Sequence, residues 1–555
     1  MWHRGDGACY IDQDILALIV EKLYDCSPLS IPAVVSCNRM LYQIARPYLV
    51  RQICLRMDAE HLLETQHRIT DCLHDSSLFW IISSVHSVTV RADSQVSLSH
   101  INSTVEKLLK PSAWGPVIDL LSTLGNLADF TFDCPIPMPP ALISALQDAR
   151  PELRLHVLHW KRPSPDTLFV DPTELALAES PLLRTLEADT WTGMRGADYQ
   201  WPAFERIVSR APNLETFRWN CRHVGGCVVY GWSVQEAHER QVQKDRFRAQ
   251  PIRKAIKSVD CTGLTSHSIA AWTPFIDWSR VEHLRELHIR NHGNDLLDAS
   301  VFAALRSLEL AVGIYHHDLE DDQVTGMRNI IADFLIALPP LESLSITNLP
   351  DHRPLEAVLL HHGPHLRTLH LHEVELPTRP RRTLTVNDVA VIGAMCPHLS
   401  DFALDIDRTP THTHEDDICA RLAQLPALRK VTLHLDLGLK RFCGPSMFSA
   451  FDRLVAAAMG AEGGKTREVD ESLRAYVRLE NYHVEEAWLF LKERKVGTPL
   501  EELIICVGEQ SRDIGAGHPA NWVIQEQSLR QSFKVLPHER DDRPNDVMID
   551  TGGRK

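Results

Sequence analysis

The chain of 555 residues is too long for one compact core, since single cores stop growing at about 250–300 residues, and its net charge of −15 argues against nucleic acid as the main partner. No apolar run approaches the roughly 20 residues that span a bilayer, and the first residues lack a signal-peptide core, so we expect no membrane partner. The 13 cysteines are scattered and odd in number, which favours reduced thiols in a cytoplasmic or nuclear protein.

Three short helices are the first predicted elements, within residues 10–50. Apolar residues repeat every four positions in the first helix, at Ile15, Ile19 and Leu23. Asp12 can cap this helix, and Pro28 ends it. The segment "SIPAVVSCNRMLYQIA" predicts two more helices, with a stop at Pro47. Helices of this length bury a small core, so such a module normally completes its core on a partner or caps a larger array.

A six-residue pattern, L-x-x-L-x-L, recurs along most of the remaining chain. Its three-then-two spacing fits neither a helix nor a plain strand, and it is the strand half of a leucine-rich repeat. The copies begin, in chain order, at Val50, Val85, Leu127, Leu183, Leu214, Ile256, Leu284, Leu305, Leu341, Leu366, Leu399, Leu428 and Leu500. The recurrence predicts a series of parallel strands rather than a chance match.

Several stretches between these copies are amphipathic and end at a helix breaker. They cover residues 324–340, 355–364, 387–398 and 416–426, and Asn387 is the predicted cap of the third. Each unit is therefore a strand, a turn and a helix, and such units stack into a solenoid. The Asn or Cys that usually follows the strand is absent at its expected position, where Leu264, Leu349 and Val374 stand.

We therefore predict an α/β protein in three parts. A short N-terminal helical module covers residues 10–50, and an irregular leucine-rich-repeat solenoid covers 51–510. The solenoid carries insertions near 222–255 and 436–499. Residues 511–555 are predicted to be a polar, mobile tail.

Catalytic motifs are absent from the sequence, so we predict that the protein is not an enzyme. The stretch "GAEGGKT" is one residue short of a phosphate-binding loop, because Met459 stands where the first glycine should be. Histidines cluster in "YHHDLEDD", "LLHHGPHLRTLHLH" and "THTHEDD", but nothing in the sequence fixes a third metal ligand. We interpret these histidines as solvated polar positions, and we expect no catalytic residue, no cofactor and no metal.

The N-terminal residues resemble an F-box, whose pattern is L-P-x-E-[LI]-L-x-x-I-x-x-x-L followed, after a gap, by an apolar-V-[SC] run with a basic residue. The matching residues are Ile11, Asp14, Ile15, Leu16, Ile19 and Leu23, then Val34, Val35, Ser36, Cys37 and Arg39. Asp12 stands where the pattern has proline, and Asp14 stands where it has glutamate. The ending "ARPYL" and the degenerate repeats are similar to those of fungal F-box proteins.

The resemblance implies a non-catalytic substrate-recognition subunit of an SCF-type cullin–RING ubiquitin ligase. The F-box would dock on the Skp adaptor, and the repeats would capture an unknown protein substrate. The residues implied in docking are Ile11, Asp14, Ile15, Leu16, Ile19, Leu23, Val34 and Val35. Three alternatives stay open: a plain cap of the array, a leucine-rich-repeat scaffold that never meets a ligase, and an enzyme hidden in the insertions.

The capture surface is predicted on the face of the strands opposite their leucines. Residues around and between the last two leucines of each copy should point outward. The main ones are Glu286, His288, Arg290, Glu309, His370, His372, Asp401 and Asp405. Acids outnumber Lys and Arg on this face, so we expect a substrate with a basic segment that binds in a salt-dependent way. Because these side chains should be solvated, reversing the acids to Lys is expected to weaken capture without unfolding the repeats.

Overall fold

The computed structural model describes residues 13–57, 61–92, 108, 110–134, 136–160, 172–192, 201–223, 256–264, 269–270, 272–274, 276–289, 298–312, 321–348, 355–374, 381–407, 413–436, 481–507, 531–537 and 547–550. Within these ranges the protein is α/β with mostly parallel strands, as predicted. Two compact units are present. Unit 1 comprises Met1–Thr190, Asp198–Asn220 and Val234–Lys254, and unit 2 comprises Trp191–Ala197, Cys221–Ser233 and Ala255–Lys555.

The predicted N-terminal helices are present at the start of unit 1. They are α1 (Gln13–Cys26), α2 (Ile31–Cys37) and α3 (Arg39–Leu49). Asn38 caps α3, because its side chain accepts a hydrogen bond from the Leu41 N–H at 2.9 Å. The predicted stop at Pro47 is wrong, since α3 continues to Leu49. Proline withholds only one backbone donor there, and so near the end of a helix that loss is small.

The strands of unit 1 follow one another in sequence order. They are β1 (Gln52–Arg56), β2 (Ser87–Arg91), β3 (Asp129–Asp133), β4 (Arg154–Leu158), β5 (Leu183–Thr192) and β6 (Thr216–His223), and β5 and β6 belong to unit 1 as far as Thr190 and Asn220. The helices between them are α4 (Leu62–His74), α5 (Phe79–Ser84), α6 (Gly115–Thr123), α7 (Pro140–Ala149), α8 (Pro172–Glu179) and α9 (Trp201–Arg210). In β3, Phe130 and Phe132 are fully buried while Thr131 between them is half-buried, so the core lies on the leucine side of the strands.

Unit 2, taken by itself, also alternates parallel strands with helices. Its parallel strands are β7 (Ser258–Leu264), β8 (His283–Ile289), β9 (Ser307–Val312), β10 (Ser343–Thr347), β11 (Thr368–His372), β12 (Asp401–Ile406), β13 (Lys430–Leu435) and β14 (Glu502–Val507). Its described α-helices are α10 (Asp321–Ala337), α11 (Leu355–His362), α12 (Val386–Met395), α13 (Thr413–Ala423) and α14 (Asn481–Arg494). Every L-x-x-L-x-L copy quoted above lies on a strand of one of the units, which confirms the strand prediction.

Residues 511–555 contain regular structure, so the prediction of a mobile tail is corrected for part of them. Strand β15 (Gln531–Pro537) pairs antiparallel with β14, and β16 (Val547–Asp550) pairs antiparallel with β15. Phe533 and Val535 alternate along β15 and are buried. They extend the apolar face of β14, whose backbone donors and acceptors would otherwise form an exposed sheet edge.

The cap of α12 lies two residues before the predicted Asn387. Thr385 forms a capping box with Asp388: its hydroxyl accepts the Asp388 N–H at 3.2 Å, and its own N–H donates to the Asp388 carboxylate at 2.8 Å. Both partners bond at once, which a single asparagine cannot reproduce. The predicted helices at 324–340, 355–364, 387–398 and 416–426 are confirmed with shifted ends.

An asparagine does bind the backbone after a strand, although not at the position the repeat pattern specifies. Asn348 follows β10, is buried, and adopts a left-handed backbone conformation with φ 62°. Its side-chain oxygen accepts the Val374 N–H at 2.8 Å, and its amide donates to the Val312 carbonyl at 3.4 Å. Asn348 therefore connects the ends of β9, β10 and β11, one residue earlier than the pattern predicts.

The remaining sequence predictions lie largely outside the described residues. The insertion near 222–255 and the "GAEGGKT" stretch are among them, whereas α14 lies within the insertion near 436–499. Among the helices that the structure describes, none is both long and apolar enough to cross a bilayer. Apart from the strands found within residues 511–555, the division into module, repeats and tail stays a prediction from sequence.

Candidate functional site

The N-terminal helices expose large apolar side chains to solvent. On α1, Ile15, Leu18 and Ile19 are each 51–60% exposed. Leu29, between α1 and α2, is 90% exposed, and Met40 on α3 is also exposed. These elements contact one another, and α1 packs on both the turn that carries Leu29 and α3. Ile15, Leu18 and Ile19 share one face of α1 by their spacing, and a contiguous exposed apolar patch of this kind is characteristic of a protein-binding surface.

The residues predicted to bind the adaptor divide between this surface and the module's own core. Ile15, Ile19 and the acidic Asp14 are exposed, and Leu16 is half-buried. The other predicted residues pack against the core of Val20, Ile31 and Ala45, and they are Leu23, Val34 and Val35. Ile11 lies outside the described residues. The sequence prediction missed Leu18, Leu29 and Met40, whose exposure follows from which side of each helix meets the core.

Cation–π contacts attach the module to the rest of unit 1. The Arg46 guanidinium of α3 lies 3.4 Å from the ring centroid of Trp80 on α5. Arg51 lies 5.3 Å from the Tyr24 ring and 5.4 Å from the Tyr48 ring, and these two rings lie 5.4 Å apart. None of these contacts involves Ile15, Leu18 or Ile19, so the exposed face of α1 takes no part in them.

The outward face of the strands in unit 1 carries ion pairs between neighbouring strands. Arg154 on β4 is in register with Asp129 on β3, and its guanidinium lies 2.8 Å from the carboxylate. Arg218 on β6 lies 2.9 Å from Glu187 on β5. Opposite charges on adjacent strands stabilise the sheet modestly, and they also reduce the negative potential that the sequence predicts for this face.

Unit 2 repeats this pattern at several of the predicted capture residues. Glu309 lies 2.8 Å from Arg285, and Asp401 lies 3.1 Å from His370. His288 is half-buried. The Glu286 side chain and Arg290 lie outside the described residues. The predicted face is therefore present and polar, but its described acids already face basic groups of the same protein.

The prediction that Asp405 is a solvated surface residue is wrong, because the structure buries it. It is 4% exposed, and its carboxylate lies 2.9 Å from His372 Nδ1 and 3.4 Å from Arg381 Nη1. The Glu373 N–H donates to its other oxygen at 2.5 Å. Burial alone raises the pKa of Asp405, but electrostatic interactions with His372, Arg381 and His434, together with the hydrogen bond to the His372 ring, outweigh it, so the pKa is lowered and the carboxylate stays ionised.

The interpretation of the clustered histidines as solvated is wrong for His362. Its ring is fully buried at the end of α11. His370 and His372 do share the outward face of β11, as predicted, while Leu369 and Leu371 between and beside them are buried. The histidine clusters therefore contain both core and outward positions.

No protein-family model matches this chain, and no curated protein matches it. A functional conclusion therefore depends on the exposed apolar face of the N-terminal helices and on the polar face of the strands.

Proposed function

We propose that this protein is the substrate-recognition subunit of an SCF-type cullin–RING ubiquitin ligase, acting in the cytoplasm or nucleus. The N-terminal helices are an F-box-like module that docks on the Skp adaptor. The following strand–helix units form an irregular leucine-rich-repeat solenoid that holds a protein substrate. The protein contributes binding and carries out no catalysis of its own.

The observation that supports this proposal is the exposed apolar face of α1. Ile15 and Ile19 match positions of the F-box pattern, and about half of each side chain is open to solvent. Completing their burial on a partner is worth roughly 1 kcal/mol for each residue. Leu18 lies on the same face of α1, and Leu29, between α1 and α2, is a further exposed apolar side chain of the module. The module's own core needs none of these four, which leaves them available for docking.

The repeats support the second half of the proposal. Successive parallel strands place one outward side chain beside another, so that a polar face extends along each unit. His370 and Asp401 lie on this face and are partly exposed. Because the described acids pair with basic neighbours, we expect a substrate segment to compete for these ion pairs rather than to meet unpaired charge. Capture should still weaken as salt is raised.

The test is binding of the full-length protein to recombinant Skp adaptor. Replacing Ile15 and Ile19 together by Asp removes apolar burial and forces two carboxylates into an apolar interface. We expect at least about 100-fold weaker binding, because burying unpaired charge adds several kcal/mol to the lost burial. Leu63→Asp is the matched control, since Leu63 is 68% exposed on α4, outside the module.

The outcomes separate the candidate functions. Loss of binding in the double variant with normal binding of Leu63→Asp supports docking through α1. Equal binding of the double variant and the wild type would show that another surface binds the adaptor. A wild-type protein that does not bind the adaptor at all would refute the ligase proposal and favour a leucine-rich-repeat scaffold, with the helices as its cap. Circular dichroism of each variant checks that it is folded.

A further inference from the structure

Three potential metal ligands lie side by side on adjacent strands of unit 2. His372 ends β11, Asp405 lies near the end of β12, and His434 lies near the end of β13. Asp405 and His434 are paired in the β12–β13 register. The β11–β12 register, which pairs Thr368 with Asp401, brings His372 opposite Asp405 when it is continued to the strand ends. The three side chains therefore form a row across the strands.

The lengths of these side chains bring their polar atoms together. Neighbouring strands are about 4.8 Å apart, so residues on β11 and β13 begin about twice that distance from each other. The short Asp405 lies between two longer histidines, and the imidazoles of His372 and His434 close over it to a ring-centroid distance of 4.2 Å. One ligand atom from each of the three residues lies within 4.8 Å of the others.

We propose that His372, Asp405 and His434 bind one divalent transition-metal ion of the zinc type. Two imidazole nitrogens and one carboxylate oxygen are the donor set that such borderline ions prefer. Three protein ligands leave a fourth position for water or for a group from a bound protein. The ion would fasten the ends of β11, β12 and β13 on the face proposed to hold substrate.

The surroundings of Asp405 favour this role. The Glu373 N–H fixes one carboxylate oxygen at 2.5 Å, which orients the other towards His372. Hydrogen bonds of this kind, from groups that do not themselves touch the metal, hold metal ligands in place. Three carboxylates at this end of the strands are buried, those of Glu373, Asp405 and Asp436, and Arg381 is the buried cation that contacts Asp405. A dication bound there would face these three carboxylates as well as the Arg381 guanidinium.

A plain hydrogen-bonded cluster is the competing explanation. In that case a proton lies between His372 Nδ1 and Asp405 Oδ1, which are 2.9 Å apart, and no ion is required. Metal binding must displace that proton, so affinity for the ion should rise with pH. The two explanations therefore differ in a measurable way.

The same strands supply an internal control. His370 on β11 contacts Asp401 on β12 at 3.1 Å, which repeats the His–Asp pair. The residue in register with Asp401 on β13 is Lys430, whose ammonium group cannot bind a cation. This second pair therefore provides at most two ligands. Replacing His370 should leave the proposed site intact.

The experiment titrates the full-length, chelator-treated protein with Co²⁺ and measures the visible d–d absorption of the bound ion. Zn²⁺ is then added to compete with Co²⁺ for the site. We expect one tight site in the wild type and in His370→Gln. His372→Gln and His434→Gln should each weaken that site by more than about 100-fold, because even the loss of a group that only orients a metal ligand costs roughly 10–100-fold. Circular dichroism of the metal-free variants shows whether they fold.

Equal affinity in His434→Gln and the wild type would overturn the proposal, and so would an effect of His370→Gln as large as that of His372→Gln. X-ray absorption of the zinc-loaded wild type keeps the test decisive if the variants fail to fold. It should show nitrogen and oxygen ligands at about 2.0–2.2 Å, with imidazole scattering and no sulfur. A sulfur shell would place the ion at cysteines instead and would refute this site. Neither outcome depends on adaptor binding.

Discussion

Lowering the pH should destabilise the folded protein through His362. Its Nδ1 accepts the Leu341 N–H at 3.1 Å, and its Nε2 donates to the Leu335 carbonyl at 2.9 Å. A backbone N–H can only donate, so this geometry requires a neutral ring with its proton on Nε2. Burial, the main cause, lowers the pKa of His362 from 6.5 to about 4. The ring joins α11 to the α10–β10 connection only while it is neutral.

The size of the effect follows from the difference between the folded and unfolded chains. Above about pH 6.5 neither protonates this ring, so its contribution to the unfolding free energy is fully present. Below that pH the unfolded chain takes up a proton that the folded chain excludes until about pH 4. At about 1.4 kcal/mol per pH unit, the total loss is about 3 kcal/mol, of which about 2 kcal/mol is lost by about pH 5.

The assay is urea unfolding at about pH 8 and about pH 5, comparing the wild type with His362→Gln. Glutamine keeps a donor and an acceptor but binds no proton, so the variant's unfolding free energy should fall by about 2 kcal/mol less than the wild type's across this range. His365→Gln, which removes an exposed histidine of the same segment, is the control and should behave like the wild type. Equal pH dependence of the wild type and His362→Gln would refute the reasoning.

Two further predictions concern buried polar groups, and urea unfolding tests both. Arg206 lies 3.2 Å from Glu174, and both side chains are almost fully buried. Arg206→Ala should lower the unfolding free energy by about 3–5 kcal/mol, because it leaves Glu174 buried without its partner. Replacing both residues, Arg206→Met with Glu174→Leu, should lower it far less, and equal losses would contradict this. Asn348→Ala should cost about 2–3 kcal/mol by removing the acceptor of the buried Val374 N–H. Asn348→Gly should recover only part of that loss, because glycine adopts the positive φ without strain but does not restore the lost hydrogen bond.

Most strands of the fold could be predicted because the apolar positions of each L-x-x-L-x-L copy are the residues that its strand buries. The exceptions follow different local patterns. Strand β4 was missed because Leu153, Leu155 and Val157 are spaced two and two, and all three are buried. Strands β15 and β16 were missed because they pair antiparallel in a polar stretch. Helix ends were less predictable, since the capping box at Thr385 outweighs the single cap at Asn387.

The proposed docking surface was only partly predictable. The four-residue period of α1 indicated a helix with an apolar stripe, but α1 is apolar on more than one side. Val20 faces the core formed with Ile31 and Ala45, whereas Ile15 and Ile19 face solvent. Which side meets the core depends on how α2 and α3 pack, and that information is not in the spacing of one helix. The set of adaptor-binding residues predicted from the F-box pattern therefore contains both core residues and surface residues of the module.

The row of His372, Asp405 and His434 was beyond sequence reasoning for a related reason: an outward residue is not always an exposed one. Asp401 and Asp405 both lie on the outward face of β12, yet their side chains are 31% and 5% exposed. The segment that carries Arg381 makes the difference, because the Leu384 N–H in the same segment donates to the Asp405 carbonyl at 3.2 Å and covers the strand end. Reversing charge at Asp401 therefore probes a surface. Reversing it at Asp405 would set a second cation against Arg381 in the interior, so a loss of substrate capture there would report damage to the strand ends rather than a lost contact.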